Sequence, residues 1–176
     1  MSTAVSQARL VVVMGVSGCG KTSVGARMAE RLQCAFVEGD SLHPPANIDK
    51  MSAGIPLTDD DRWPWLDVVG SRLRESHAQG ESLVVSCSAL KRCYRDRLRQ
   101  AAGGKLSFVF LEGPRSVLEA RMTARTGHFM PALLLDSQFA TLEVPTGEPG
   151  VITIDLTLVL EEIVSQAIAG LAKLYQ

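Results

Sequence analysis

The sequence predicts an α/β fold, a parallel five-stranded sheet with helices on both faces. Two observations carry this. Short aliphatic runs at Leu10–Met14, Ala35–Glu38, Ser82–Ser86, Leu106–Leu111 and Val151–Ile154 alternate with helical patterns along the whole chain. Strands without polar alternation are buried on both faces, as in a parallel sheet covered by its crossover helices. The second observation is the segment Gly15-Val16-Ser17-Gly18-Cys19-Gly20-Lys21-Thr22, which follows the first run directly. After it, Val24, Met28 and Leu32 recur every fourth residue, as one face of a helix would. Strand, glycine-rich loop and helix in that order fit the phosphate-binding pattern GxxxxGK[ST].

The chemistry of that pattern follows from its residue types. Glycines let backbone N–H groups turn inward and approach a polyphosphate closely. The helix N-terminus adds unpaired donors and a partial positive charge. Lys21 can reach the outer phosphates of ATP, and the Thr22 hydroxyl can bind Mg²⁺. A Gly-rich turn that matched by chance would lack the flanking strand and helix.

The remaining elements follow in order. Residues 1–9 form a loose tail, and residues 10–176 form one domain. The first helix covers Ser23 to Gln33. The second strand ends at Gly39-Asp40, and a polar, Pro-containing stretch runs to Asp61, with a turn or two of helix at Asn47–Met51. Asp61 can cap the next helix, with Pro64 in its first turn and Trp65, Leu66, Val69 and Leu73 on one face. That helix ends near Gly80. A basic helix covers Leu90 to Ala102, stopped by Gly103-Gly104. Pro114 opens a helix to about Arg125, Gly127-His128-Phe129-Met130-Pro131 interrupts it, and Ala132 to Leu142 forms another. A turn-rich loop, Val144 to Gly150, leads to the fifth strand. The last helix carries Leu160, Ile163, Val164, Ala167, Ile168 and Leu171.

Composition excludes several classes. The formal net charge of −1 gives no basic excess for nucleic acid. Leu10–Val13 is too short for a membrane span or a signal-peptide core, so a cytosolic protein is expected. Cys19, Cys34, Cys87 and Cys93 have no CxxC spacing and are read as free thiols. Asp67-Val68-Val69-Gly70 matches the DxxG of a GTPase switch but lies inside a helical pattern, and no NKxD follows.

Ligands in a parallel sheet bind beyond the carboxyl ends of its strands. The phosphate loop, Asp40 and Ser86-Cys87-Ser88 therefore belong around one cleft. Glu38 and Asp40 end the second strand, where a carboxylate can hold a metal-bound water or accept the proton of an attacking hydroxyl. Arg62, Lys91 and Arg92 are candidate cations for an anionic substrate. Arg121 and Arg125 share a helix face beside Gly127, which suits a lid at about residues 125–131 closing over ATP. His43, His128 and Ser88 could meet substrate hydroxyls, whereas Trp63 and Trp65 are read as packing residues and His77 as an exposed helix end.

The chain resembles the gluconokinases of the small phosphate-loop type. The resemblance rests on Gly15 to Thr22, on Glu38-Gly39-Asp40-Ser41-Leu42-His43-Pro44 with Asn47 and Lys50-Met51, and on Gly54-Ile55-Pro56-Leu57. It continues through Asp59 to Leu66, Ser86 to Arg92, His128-Phe129-Met130, Leu134 to Phe139 and Leu142-Glu143. It implies ATP-dependent phosphorylation of D-gluconate at the 6-hydroxyl, with Asp40 orienting or deprotonating that hydroxyl. It also implies the fold of nucleoside-monophosphate and shikimate kinases, with strand order 2-3-1-4-5 and a lid, and a homodimer. The third strand ends in Ser86-Cys87 and not in the Asp of a Walker B motif, so Mg²⁺ would rest on Thr22, the phosphates and waters, with Glu38 or Asp40 behind the waters. The alternatives are another small-metabolite kinase, shikimate-like or acting on nucleotides, and a nucleotide-binding module without phosphotransfer.

Overall fold

A computed structural model describes residues 7–124 and 134–176. The chain runs β1 (Leu10–Met14), α1 (Lys21–Leu32), β2 (Ala35–Glu38), a 3₁₀ turn (Gly39–Leu42), α2 (Pro45–Ser52), α3 (Asp59–Ala78) and β3 (Leu83–Ser86). It continues as α4 (Arg92–Ala102), β4 (Leu106–Glu112), α5 (Arg115–Ala124), α6 (Leu134–Thr141), β5 (Val151–Asp155) and α7 (Leu160–Leu174). The strands form one parallel sheet in the order β2-β3-β1-β4-β5. β1 lies at the centre, and every residue from Leu10 to Met14 is fully buried. Each such side chain contributes about 1.5–3 kcal/mol of burial, so the strand that leads into the phosphate loop is among the best-anchored segments. α1 packs with α7, and α3 packs with α4. With right-handed crossovers these pairs cover opposite faces of the sheet.

Gly39 sets the spacing at the carboxyl end of β2. A Cβ there would lie 1.9 Å from the Ser86 carbonyl oxygen of β3, so only glycine fits. The Trp65 indole, buried on α3, donates to the Gly39 carbonyl at 2.8 Å. α3 thereby fixes the turn that carries Asp40.

Three local expectations are corrected. Asp61 does not cap α3. Thr58 does, accepting from the Asp61 amide at 3.1 Å while the Asp61 carboxylate accepts from the Thr58 amide at 2.9 Å, a reciprocal capping box. Pro64 consequently lies beyond the first turn, where its missing N–H costs the Asp60 carbonyl its helical partner. The basic helix starts at Arg92 and not at Leu90, because Ala89 has a left-handed backbone (φ 45°) and Lys91 is extended. The expectations for Arg125, Gly127, His128 and the lid at 125–131 lie outside the described residues. Asp67-Val68-Val69-Gly70 does lie within α3, with Asp67 bound to Arg97 of α4.

Candidate active site

The phosphate loop follows the sheet's central strand. Gly15, Gly18 and Gly20 all have positive φ, and a Cβ on Gly15 would meet Cys19 Sγ at 2.8 Å. Two long-range bonds hold the loop. The Gly15 amide donates to the Ser88 carbonyl at 3.3 Å, and the Ser17 amide to Gln138 Oε1 of α6 at 2.7 Å. Lys21 opens α1 and its ammonium donates to the Val16 carbonyl at 3.1 Å. The lysine is thus folded over its own loop, within reach of whatever the loop amides hold.

Beside it, the ends of β2 and β3 form a polar corner. Glu38 and Ser86 are register partners, and Ser86 Oγ donates to Glu38 Oε1 at 2.6 Å. The Thr22 hydroxyl donates to the other oxygen of Glu38. Cys87 next to Ser86 is wholly buried, which pushes its thiol up to about 12, and it is inert there. Among the described residues the four cysteines are free thiols.

Asp40 lies one residue beyond Gly39 and lines a cavity with Ser17, Lys21, His43, Arg62, Ser88 and Gln138. The phosphate loop, Asp40 and Ser88 thus share one cleft, as the strand-end argument requires. His43 is buried, stacked on Trp65 at 4.0 Å, and its Nε2 lies 4.0 Å from Asp40. Asn47 fixes its tautomer. The Asn47 amide nitrogen donates to the Asp61 carbonyl at 2.9 Å and to His43 Nδ1 at 3.2 Å, so Nδ1 accepts and Nε2 carries the proton facing Asp40. Burial first, and the Arg62 charge second, lower the His43 pKa to about 4. The imidazole is therefore neutral near pH 7 and can donate to a hydroxyl placed between it and Asp40.

The three candidate cations separate. Arg62 enters the cavity, held by the Leu57 carbonyl at 2.7 Å and the Tyr94 hydroxyl at 3.1 Å. Lys91 does not line it: its ammonium pairs with Asp59 at 3.0 Å, and Asp59 also accepts from Tyr94. Arg92 is exposed and turned to Asp96 of its own helix. Of the three cations expected at the substrate, these two therefore do not line the cavity that holds Asp40.

Arg121 lies on the other side of the phosphate loop. It donates to the Leu156 carbonyl at 3.1 Å and to Gly18 at 3.4 Å. A second cavity of about 430 Å³ opens there, lined by Gly18, Gly20, Ser23, Arg121, Leu156, Leu158 and Ile163. Its apolar walls and adjacent loop amides suit a purine base joined to phosphates. Several contributors were not anticipated as site residues: Gln138, Asn47 and Trp65. Asn47 and Gln138 lie inside helices, and the signal that marks them, burial of a polar side chain, is not visible in a sequence.

The model of the family described as AAA domain matches residues 10–145. A gluconokinase of Gluconobacter oxydans is 50% identical over 160 residues, covering 89% of either chain. The thermoresistant gluconokinase of Escherichia coli is 41% identical over 174 residues, covering 98% of this chain and 99% of its own. The crystal structure of a gluconokinase from Sinorhizobium meliloti superimposes with a TM-score of 0.86 at 58% identity, covering 96% of this chain and 94% of that one.

Proposed function

This chain belongs to the gluconokinase family, and from that premise we propose how its residues divide the work. The protein is an ATP-dependent kinase that converts D-gluconate to 6-phospho-D-gluconate, releasing ADP. The loop Gly15 to Lys21 cradles the phosphates through the amides of Val16, Gly18, Gly20 and Lys21, while those of Gly15, Ser17 and Cys19 hold its shape on Ser88, Gln138 and Val16. The purine takes the cavity beside Arg121. Lys21 exchanges the Val16 carbonyl for phosphate oxygens. Charge on those oxygens grows in the transition state, so the lysine stabilises it more than the ground state.

Asp40 receives the proton of the gluconate 6-hydroxyl as its oxygen bonds to the γ-phosphorus and the bond to the ADP oxygen breaks. His43 Nε2 lies 4.0 Å from Asp40, too far to bond it, and donates to a substrate hydroxyl between them. Arg62 takes the carboxylate at the far end of the substrate, and Ser88 meets a hydroxyl between. Lys91 acts through Asp59 and Tyr94 to hold Arg62, and not on the substrate.

Mg²⁺ fits beside Thr22 and Glu38, whose oxygens are the hard donors it prefers. Among the described residues no group of three His, Cys, Asp or Glu side chains is assembled for a metal, so most of its ligands would be phosphate oxygens and waters. When bound it would neutralise charge on the transferring phosphates. Arg125 and His128, on the expected lid, complete the reading, together with a homodimer, as the resemblance implies, and the cytosolic location expected from the sequence. No described helix is long and apolar enough to cross a membrane.

The observation that carries the reading is the placement of Lys21, Asp40 and Arg62 around one cavity. The test is ADP release with Mg²⁺-ATP across gluconate, glucose, shikimate and nucleoside monophosphates. Turnover should require gluconate. Equal turnover of shikimate would overturn the substrate assignment.

A further inference from the structure

Arg95 is a fully buried arginine on the inner face of α4, and no step above uses it. All five of its N–H groups have an acceptor. Nε donates to Glu148 Oε2 at 2.9 Å and Nη2 to Glu148 Oε1 at 2.6 Å, a two-pronged pair. The other three bonds go to the backbone: Nη2 to Glu143 at 2.9 Å, and Nη1 to Ala89 at 2.8 Å and Leu90 at 3.0 Å.

The last two acceptors matter most. Ala89 is held at φ 45°, a conformation that L side chains rarely adopt. Strain of this kind persists only where the surroundings over-determine it. Immediately before Ala89, Ser88 contributes its side chain to the acceptor cavity and its carbonyl to the Gly15 amide of the phosphate loop. Immediately after it, Leu90 lines the same cavity and accepts from the Glu143 amide at 2.8 Å. The segment 88–90 is therefore a bridge between acceptor cavity and phosphate loop, and it is clamped from behind by one guanidinium.

Glu148 supplies the clamp's counter-charge. Its carboxylate is buried, it also accepts from Arg99 at 2.9 Å, and Arg95 foremost lowers its pKa to about 2. A buried pair of this kind is weak evidence for stability as such. Its geometry, with three of five bonds on loop carbonyls, serves placement.

The geometry points to Arg95 as a positioning residue for gluconate: through its own carbonyl bonds it holds the strained 88–90 segment so that Ser88 meets the substrate, with Glu148 supplying only the counter-charge. This rests on the acceptor cavity being the gluconate site.

The test compares Arg95→Lys with Glu148→Gln in the full chain. Lysine keeps the charge, but one ammonium cannot span the carboxylate and three carbonyls. Glutamine leaves Arg95 and its carbonyl bonds in place. Displacements of about 1 Å can cost ~10²-fold in catalysis, so Arg95→Lys should lower kcat/KM for gluconate by about 10–100-fold. Its gluconate affinity by calorimetry should weaken, while ATP affinity stays within about twofold. Glu148→Gln should lower the melting temperature and leave gluconate affinity within about twofold. Equal loss of gluconate affinity in both variants, or wild-type affinity in Arg95→Lys, overturns the inference. If Arg95→Lys does not fold, Arg95→Met with Glu148→Met removes both charges together, a change that is often tolerated. Wild-type gluconate affinity in that double variant would equally overturn it. Failure of the gluconate reading is separate, since it would appear as absent gluconate turnover by the wild type.

Discussion

Asp40 and His43 show how single residues at this site are tuned by what surrounds them. Asp40 stands at the end of β2, in the cavity that Lys21 also lines. Asp40→Asn keeps the shape and removes the proposed base. A positioned base contributes about 10²–10⁴-fold, with loose phosphoryl transition states at the lower end. Turnover should therefore fall by roughly 10²-fold while ATP affinity, measured by calorimetry, stays unchanged. Loss of ATP affinity with turnover intact at saturating ATP would assign Asp40 to the metal instead. His43 carries a pH signature. Its pKa drops from 6.5 to about 4 in the fold, chiefly through burial and then through the Arg62 charge. Between those values the unfolded chain binds the extra proton, so acid destabilises the native state. The effect is absent above pH 6.5 and reaches roughly 3 kcal/mol near pH 4. Urea unfolding at pH 7 and pH 4.5 should show a smaller acid loss in His43→Gln, by roughly 2 kcal/mol. Identical losses in the two proteins would contradict a buried neutral imidazole.

At the scale of elements, the decisive contacts are between strand ends. Gly39→Ala would push a methyl group into the Ser86 carbonyl, 1.9 Å away. Backbone cannot yield as a side chain tip can, so the turn carrying Asp40 must shift. Overpacking of this kind costs about 1–3 kcal/mol, and for a chain of this size each kcal/mol lowers the melting temperature by roughly 2–4 °C. Calorimetry should show that drop together with a loss of turnover larger than the stability loss explains. A variant with wild-type activity would show that the β2 end is not held to β3. The elements themselves were largely legible in the sequence. β1 and β2 have the predicted bounds, because their runs are short, apolar and closed by glycine. What was not legible is where a helix starts among equivalent signals. Thr58, Asp59, Asp60 and Asp61 can each cap, and only the contact of Asp61 back to Thr58 selects one. Likewise Lys91 and Arg62 look alike along the chain. Their separation depends on Asp59 and Tyr94, each 32 residues from the cation it holds. Arg95 lies three and seven residues before Leu98 and Ala102, on the inner face of its helix, but its charge hides it in a run of basic residues.

The whole molecule places two cavities on either side of one loop. Gly18 and Gly20 face the cavity beside Arg121, while Ser17 and Lys21 face the one with Asp40 and Arg62. In the proposed reading ATP and gluconate take these two cavities, with the loop between them at the carboxyl end of the central strand. Parallel topology produces this arrangement, because every strand ends on the same side and the order reverses beside β1.

In the proposed reading, selectivity depends on Arg62, which lines one cavity with Asp40. Arg62 is fixed there by the Leu57 carbonyl and the Tyr94 hydroxyl. A neutral sugar would leave its charge without the carboxylate, and a site built around such a partner can reject analogues lacking it by about 10⁴-fold or more. The wild type should therefore phosphorylate gluconate far better than glucose. Arg62→Met should narrow that gap mainly by raising KM for gluconate, since the contact is equally present in ground and transition states. Lys91→Met is the control that the structure supplies. It removes a cation of the same charge that faces Asp59 and not the cavity, so its gluconate-to-glucose ratio should stay closer to that of the wild type than to that of Arg62→Met. Coupled ADP release across both substrates measures all three ratios. If Lys91→Met collapses the ratio while Arg62→Met preserves it, the carboxylate is bound at the mouth of the site, and the cavity lined by Asp40 and Arg62 holds the sugar acid in the opposite sense.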